Sequence, residues 1–234
     1  MAPFSSGLAE QGLNLQAVFA MSSLPDAIHQ TLEQAITEAG ANPGLFRQLL
    51  LLGHGGRRLW ECVAAAGHDT ANPIDDYSVG CIRDFFASEC PTADYRILYP
   101  GESLVPLQQL GQLAGWHFPS PFMVGVNSAW GSWYAYRALV VASTDFATSM
   151  VPGWQSPCEP CTGKPCMAAC PAGAATPQGL DMERCISFRK QQGSPCQRQC
   201  LARLACPVGE AHRYTREQLE YHYQLSYRTL CERY

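Results

Sequence analysis

A chain of 234 residues with 47% hydrophobic content has apolar material for one large domain, or for a mid-sized domain with an appendage, and is no disordered tail. A formal net charge of −4, a pI of about 5.8 and lysines only at 164 and 190 leave no basic footprint for nucleic acid, and no stretch approaches the ~18 uninterrupted apolar residues of a membrane span. The first basic residue is Arg47, so the N-terminus lacks the charged region of a secretory signal, and a cytoplasmic location is expected, where dense cysteines bind metal more often than they pair as disulfides.

Residues 1–22 read as a loose arm. Leu24, Ile28, Leu32, Ala35 and Ile36 recur at helical spacing and predict a helix from Pro25 to Ala39, stopped by Gly40. Leu49–Leu52 followed by Gly53-His54-Gly55-Gly56 predicts a buried strand running into a tight glycine turn. The turn invites comparison with a phosphate nest, but the end of a buried strand explains it equally well. Asn72-Pro73 opens a helix to about Ser88, with Asp75 and Asp76 in the first turn, where the helix dipole favours acids. Strands are expected over Tyr95–Tyr99, Phe122–Val126 and Arg137–Ala142, with a helix over Ser103–Ala114 between the first two. This alternation predicts an α+β or layered α/β domain over 23–150, a hinge at Val151–Pro157, a cysteine-rich module over 151–214, and a C-terminal helix over 215–234 opened by a Thr215/Gln218 capping box and packing back on the body.

Of the twelve cysteines, eight fall within 49 residues: Cys158-x2-Cys161-x4-Cys166-x3-Cys170-Pro, then Cys185, then Cys196-x3-Cys200-x5-Cys206-Pro. Each [4Fe–4S] cubane takes four cysteinates, and in two-cluster ferredoxins the last cysteine of a Cys-Pro run crosses to the other cluster. By that rule Cys158, Cys161, Cys166 and Cys206 would hold one cluster, and Cys170, Cys185, Cys196 and Cys200 the other. The x4, x3 and x5 gaps depart from the commonest run. A pair of Cys₄ zinc sites is the alternative, though the spacing is not that of a zinc ribbon. Cys62, Cys81, Cys90 and Cys231 each stand alone and read as ordinary thiols. Residues 1–157 carry 6 Lys/Arg against 13 Asp/Glu, a balance of −7, whereas 158–234 carry 10 against 7, a balance of +3. That basic excess would offset the negative charge of thiolate-ligated clusters, or is simply a solvated surface.

Residues 115–143 place Trp130, Trp133, Tyr134 and Tyr136 around a turn at Gly131, with Arg137 just beyond. The pattern suggests a flat surface for a large planar ligand, Arg137 meeting an anionic group; the alternative is a hairpin whose aromatics fill the core beneath it. The stretch resembles the Gly-Trp…Pro-x-x-Gly-(Ser/Gly)-Trp-Phe segment shared by epoxyqueuosine reductases and cobalamin-processing proteins of the CblC type. Asn72-Pro73-Ile74-Asp75-Asp76 is similar to the Asp-Pro-(Leu/Val)-Asp that opens a helix in CblC-type proteins, and Arg137 matches the arginine closing their Trp-Phe-Ala-Ile-Arg run. Arg184-Cys185-Ile186-Ser187-Phe188 is similar to the Arg-Cys-Ile-Ser-Tyr of epoxyqueuosine reductases. The chain from Leu49 to Leu225 looks most like small bacterial ferredoxin-like proteins, whose pattern includes the Cys-Leu-Ala-Arg-x-Ala-Cys-Pro-Val-Gly at 200–209.

The resemblance implies a nitroreductase-like α+β domain carrying a dicluster ferredoxin-like module. It further implies two [4Fe–4S] clusters at the eight cysteines, and cobalamin held by Trp130, Gly131, Trp133, Tyr134 and Arg137. Two functions are expected from it: an oxidoreductase passing electrons to a corrinoid or similar planar ligand, or an electron carrier whose first domain docks a redox partner protein. Neither involves nucleic acid or a membrane. Two departures matter. Epoxyqueuosine reductases carry a catalytic aspartate before the helix leading to Gly-Trp, but Tyr95–Gly101 holds no acid before Glu102. Asn127 also replaces the His or Ser common in the turn, and the Asp-x-His-x-x-Gly cobalamin motif is missing, so His54, His68 and His117 are read as structural.

Overall fold

The computed structural model describes residues 4–67, 69–149, 153 and 155–234, in two compact units: 1–115 with 134–152, and 116–133 with 153–234. The expected hinge at Val151–Pro157 and His68 fall wholly or partly outside the described residues.

The first unit comprises α1 (Ser6–Glu10), β1 (Leu15–Ala20), α2 (Asp26–Glu38), β2 (Gln48–Gly55), α3 (Arg58–Ala66), α4 (Pro73–Glu89), β3 (Tyr95–Tyr99), α5 (Leu107–Leu113) and β4 (Tyr134–Ala142). Its strands form one antiparallel sheet in the order β1-β2-β4-β3. It is a mixed α/β unit with an antiparallel sheet. Every residue of β2 is buried, so its unbroken leucine run reflects a central strand covered on both faces. Leu49 to Leu52 and Leu139 to Val141 are at most 1% exposed. The α2 positions Ile28, Leu32, Ala35 and Ile36 are buried as their spacing predicts, and α4 starts at Pro73 with Asp75 and Asp76 in its first turn.

Four local expectations need correction. The arm is not loose. Ser5 caps α1, the Gln16 side chain bonds both the N–H and the carbonyl of Ser5, and β1 pairs with β2 along its whole length. The glycine turn starts later, because Gly53, His54 and Gly55 continue β2 through a register shift at Leu52/Gly53, and no phosphate nest forms there. The helix expected over Ser103–Ala114 begins only at Leu107, since Pro106 disfavours helical backbone in the residue before it. The strand over Phe122–Val126 is absent: Pro119 and Pro121 withhold N–H donors, Met123 has φ 71°, and only Val126 bridges, to Phe118.

The second unit comprises α6 (Pro165–Ala168), the two-residue strands β5 (Ala175–Thr176) and β6 (Gly179–Leu180), α7 (Met182–Lys190), α8 (Leu201–Leu204) and α9 (Arg216–Arg233). Thr215 caps α9 by accepting from the N–H of Gln218, and α9 packs within this unit against α7. Residues 116–133 belong here and not with the sheet. Phe122 and Val126 sit in one apolar cluster with Cys166, Ala175, Ala202 and Cys206. Of the largest fully buried side chains among the described residues, only Trp133 lies in this unit. Apart from α9 its helices have four to nine residues and its aliphatic core is thin, so packing alone gives this unit little stability.

Two glycines hold the 116–133 segment to the end of the cysteine run. Gly131 (φ 61°) and Gly209 (φ 68°) both take left-handed backbone. A Cβ on Gly131 would collide with the Val208 carbonyl, and one on Gly209 with the backbone of Trp130. Only main chain against main chain fits, and Cys206 is three residues away. Gly131→Ala is predicted to cost more than about 2 kcal/mol through left-handed strain plus overpacking; thermal unfolding checks this, and an unchanged Tm would show that the loops separate freely.

Candidate metal centre

All eight cysteines of the 158–206 run lie in the second unit, five of them in or against one apolar cluster, and all twelve in the chain are free thiols. Lys164 and Pro165 start α6, setting Cys166 on its first turn, and the Lys164 ammonium donates to the Cys158 carbonyl. Asp181 caps α7 by accepting from the N–H of Arg184, which places Cys185 one turn in. Ser194 accepts from the N–H of Cys196, and Cys200 sits at the N-terminal end of α8.

Electrostatics show which thiols are neighbours. Burial is the largest cause raising the thiol pKa of Cys158, Cys166 and Cys206. Cys161 and Cys206 raise both Cys158 and Cys166 further, and Cys161 also raises Cys206. Burial likewise leads for Cys185, Cys196 and Cys200, where Cys170 adds repulsion to each. For Cys158, Cys166 and Cys206 the thiols that act are drawn from Cys158, Cys161, Cys166 and Cys206, and for Cys185, Cys196 and Cys200 from Cys170, Cys196 and Cys200. Cys170, Cys185, Cys196 and Cys200 all line one largely apolar cavity of about 270 Å³.

Stabilising groups face these thiols. The backbone N–H groups of Ala202 and Arg203 at the start of α8 favour the Cys200 thiolate, and that of Val208 favours Cys206, as helix ends and turns do for anions. Among the described residues, no three His, Cys, Asp or Glu side chains gather tightly enough for one metal ion. A cubane asks for a looser gathering, because each thiolate binds its own iron.

The five residues predicted to hold a planar ligand are divided between the units. Trp130, Gly131 and Trp133 lie in the second; Tyr134 and Arg137 lie in the first. Trp130 meets His212 at 4.3 Å. Asn127 and Gly131 exchange backbone hydrogen bonds, and the Asn127 side chain accepts from the N–H groups of Ala129 and Trp130, so an asparagine serves the turn by closing it. Trp133 is fully buried against Tyr214 and Arg203, which is the core-filling alternative.

In the first unit the 8%-exposed Arg137 donates from Nε to His54 Nδ1 at 2.9 Å and faces Asp75 at 3.8 Å. Sequence reasoning did not link these three; the register pairing His54 with Ala135 makes the link, and no local motif announces it. Burial raises the Tyr99 pKa, Asp75 raises it further, and Arg137 lowers it. Cys62 and Cys81 do not stand alone either, since both thiols share the Tyr77 hydroxyl.

Burial raises the Asp75 carboxyl above its ordinary value, Arg137 opposes the rise, and Asp76 adds to it. A carboxyl with a raised folded pKa contributes stability below its unfolded pKa and loses it as pH climbs through the folded value. Asp75→Asn, which does not titrate, is therefore predicted to gain Tm relative to the parent between about pH 4 and pH 7. Paired melts across that range check this, and a constant difference would contradict it.

No protein-family model matches the sequence, and neither does any curated protein. Solved structures do. The chain is similar to the epoxyqueuosine reductase of Bacillus subtilis with its catalytic-aspartate loop swung out of the active site, with a TM-score of 0.54 at 16% identity over 89% of this chain and 65% of that one. It is similar to an epoxyqueuosine reductase bound to a tRNA-Tyr stem loop carrying epoxyqueuosine, with a TM-score of 0.54 at 14% identity over 91% and 66%. A selenomethionine-labelled epoxyqueuosine reductase gives 0.51 at 14% over 89% and 65%. The tRNA stem loop of the second neighbour conflicts with the expectation that this chain has no nucleic-acid partner. The chain spans just under two thirds of the length of these enzymes, and at such identities what it shares with them is the fold.

Proposed function

We propose that this protein is an iron–sulfur redox protein whose second unit, a dicluster ferredoxin-like module, holds two [4Fe–4S] clusters. Cys158, Cys161, Cys166 and Cys206 would bind the first; Cys170, Cys185, Cys196 and Cys200 would bind the second. The observation that supports the reading is that Cys170, Cys185, Cys196 and Cys200 line one cavity, while Cys158, Cys166 and Cys206 are acted on by one another and by Cys161. When bound, such clusters accept and release single electrons. The chain's own part is to hold the thiols, to keep water from them with Phe122, Val126 and Ala202, and to offset their charge with N–H groups and cations.

The electrons would pass to a corrinoid or similar planar ligand on a nitroreductase-like first unit, with Arg137 and Tyr134 as anchors there. A specific observation favours the second reading, an electron carrier without a corrinoid whose first unit docks a redox partner: Trp133 has no exposed face and Arg137 is already engaged by His54 and Asp75. Reduction of a tRNA base is not proposed, because no carboxylate occurs between Tyr95 and Gly101 and the first acid after β3, Glu102, is exposed.

Protein purified or reconstituted without oxygen is predicted to hold about eight irons per chain and to show a broad visible absorption that bleaches with dithionite. Cys206→Ser is predicted to lose about half of that iron, and Cys185→Ser the other half. Zinc in place of iron would overturn the reading. Adding cob(II)alamin separates its two forms: a spectral change that Arg137→Ala weakens supports the corrinoid, and no change supports the carrier.

A further inference from the structure

Among the described residues, Arg203 and Arg189 of the second unit have no carboxylate within salt-bridge distance. Arg203 is 7% exposed, with its guanidinium 4.5 Å from the Trp133 ring and 5.0 Å from that of Tyr214. Its Nε donates to the Ser132 hydroxyl at 3.3 Å and a terminal nitrogen to the Ser132 carbonyl at 2.5 Å. Arg189 donates to the Cys196 carbonyl at 3.0 Å, to Ser226 and to the Tyr223 carbonyl. The cations beside the first thiol set are placed differently: Arg213 is paired with Glu210 at 2.8 Å, and Lys164 is held by a carbonyl.

A buried guanidinium without a counter-charge is costly. Here the counter-charge would come from cysteinates: Arg203 lies on α8, which Cys200 opens, and Arg189 lies on α7 with Cys185 and donates to the Cys196 carbonyl. Both arginines line the cavity that those thiols share. Adding an electron to a group in that cavity adds one negative charge, and unpaired cations close by favour the reduced form.

We propose that Arg203 and Arg189 raise the reduction potential of the cluster held by Cys170, Cys185, Cys196 and Cys200 above that of the other cluster. The single electron of the half-reduced protein then resides with the second set. This rests on the dicluster reading, and both arginines are positioning residues that act through the thiolates.

The test is an anaerobic redox titration with dithionite as the electron donor, followed by electron paramagnetic resonance. Cys206→Ser, which removes the first set's distal thiol, identifies the surviving signal as the second cluster. In Arg203→Gln and in Arg189→Gln, with iron content unchanged, only the higher-potential step is expected to fall, by about tenfold in its equilibrium constant or more, which is about 59 mV for one electron. Arg203→Lys should restore most of the shift. If Arg203→Gln fails to fold, Arg189→Gln decides alone. Unmoved potentials, equal movement of both, or a higher potential at the first cluster would overturn the proposal while leaving the clusters in place. A parent protein without iron would instead remove the dicluster reading itself.

Discussion

The gathering of eight buried or half-buried thiols is the constraint on which the second unit depends. Six of them sit where burial opposes their ionisation and neighbouring thiols oppose it further. Nothing in ordinary packing rewards this. Two arginines without carboxylates face one set, and backbone N–H groups face both. Each half is costly alone, since thiolates repel and a lone guanidinium forfeits its hydration. Under the proposed dicluster reading, a group that draws the thiolates onto separate irons would make them mutually supporting. The thin aliphatic core of this unit would follow from the same cause.

The first unit shows the contrast. Its antiparallel sheet closes over leucines and valines that exclude water almost wholly, and its polar groups are satisfied in pairs, as with Gln16 at Ser5 and Gln48 at Thr144 and Phe146. It can be accounted for by hydrophobic burial and hydrogen bonding alone. The exception is the His54, Arg137 and Asp75 group, where a buried cation meets a neutral acceptor on one side and a half-buried acid on the other. Buried charge in an otherwise apolar unit is where ligand chemistry tends to be sited, and whether Arg137 meets a ligand or only His54 and Asp75 is what divides the two functional readings.

Much of this was legible along the chain wherever the determining interaction is local. Helical spacing found α2, the Pro73 start found α4, and the Thr215 cap found α9. The cysteine run could be placed in one unit from its spacing because short loops keep its members in one neighbourhood. What escaped depends on distant partners. The pairing of β1 with β2 turned an apparent arm into an edge strand, and the register of β2 on β4 placed His54 beside Arg137. Contacts 71 residues apart joined Arg203 to Ser132 and buried Trp133 beneath it. The aromatic segment was read as one surface because its residues are consecutive, yet the chain passes from one unit to the other between Trp133 and Tyr134.

Iron and acid-labile sulfide measured on the anaerobically isolated, full-length protein bear most directly on the central claim. Two filled thiol sets predict about eight of each per chain. Iron near zero, with zinc bound or with all eight thiols free to react, would contradict it.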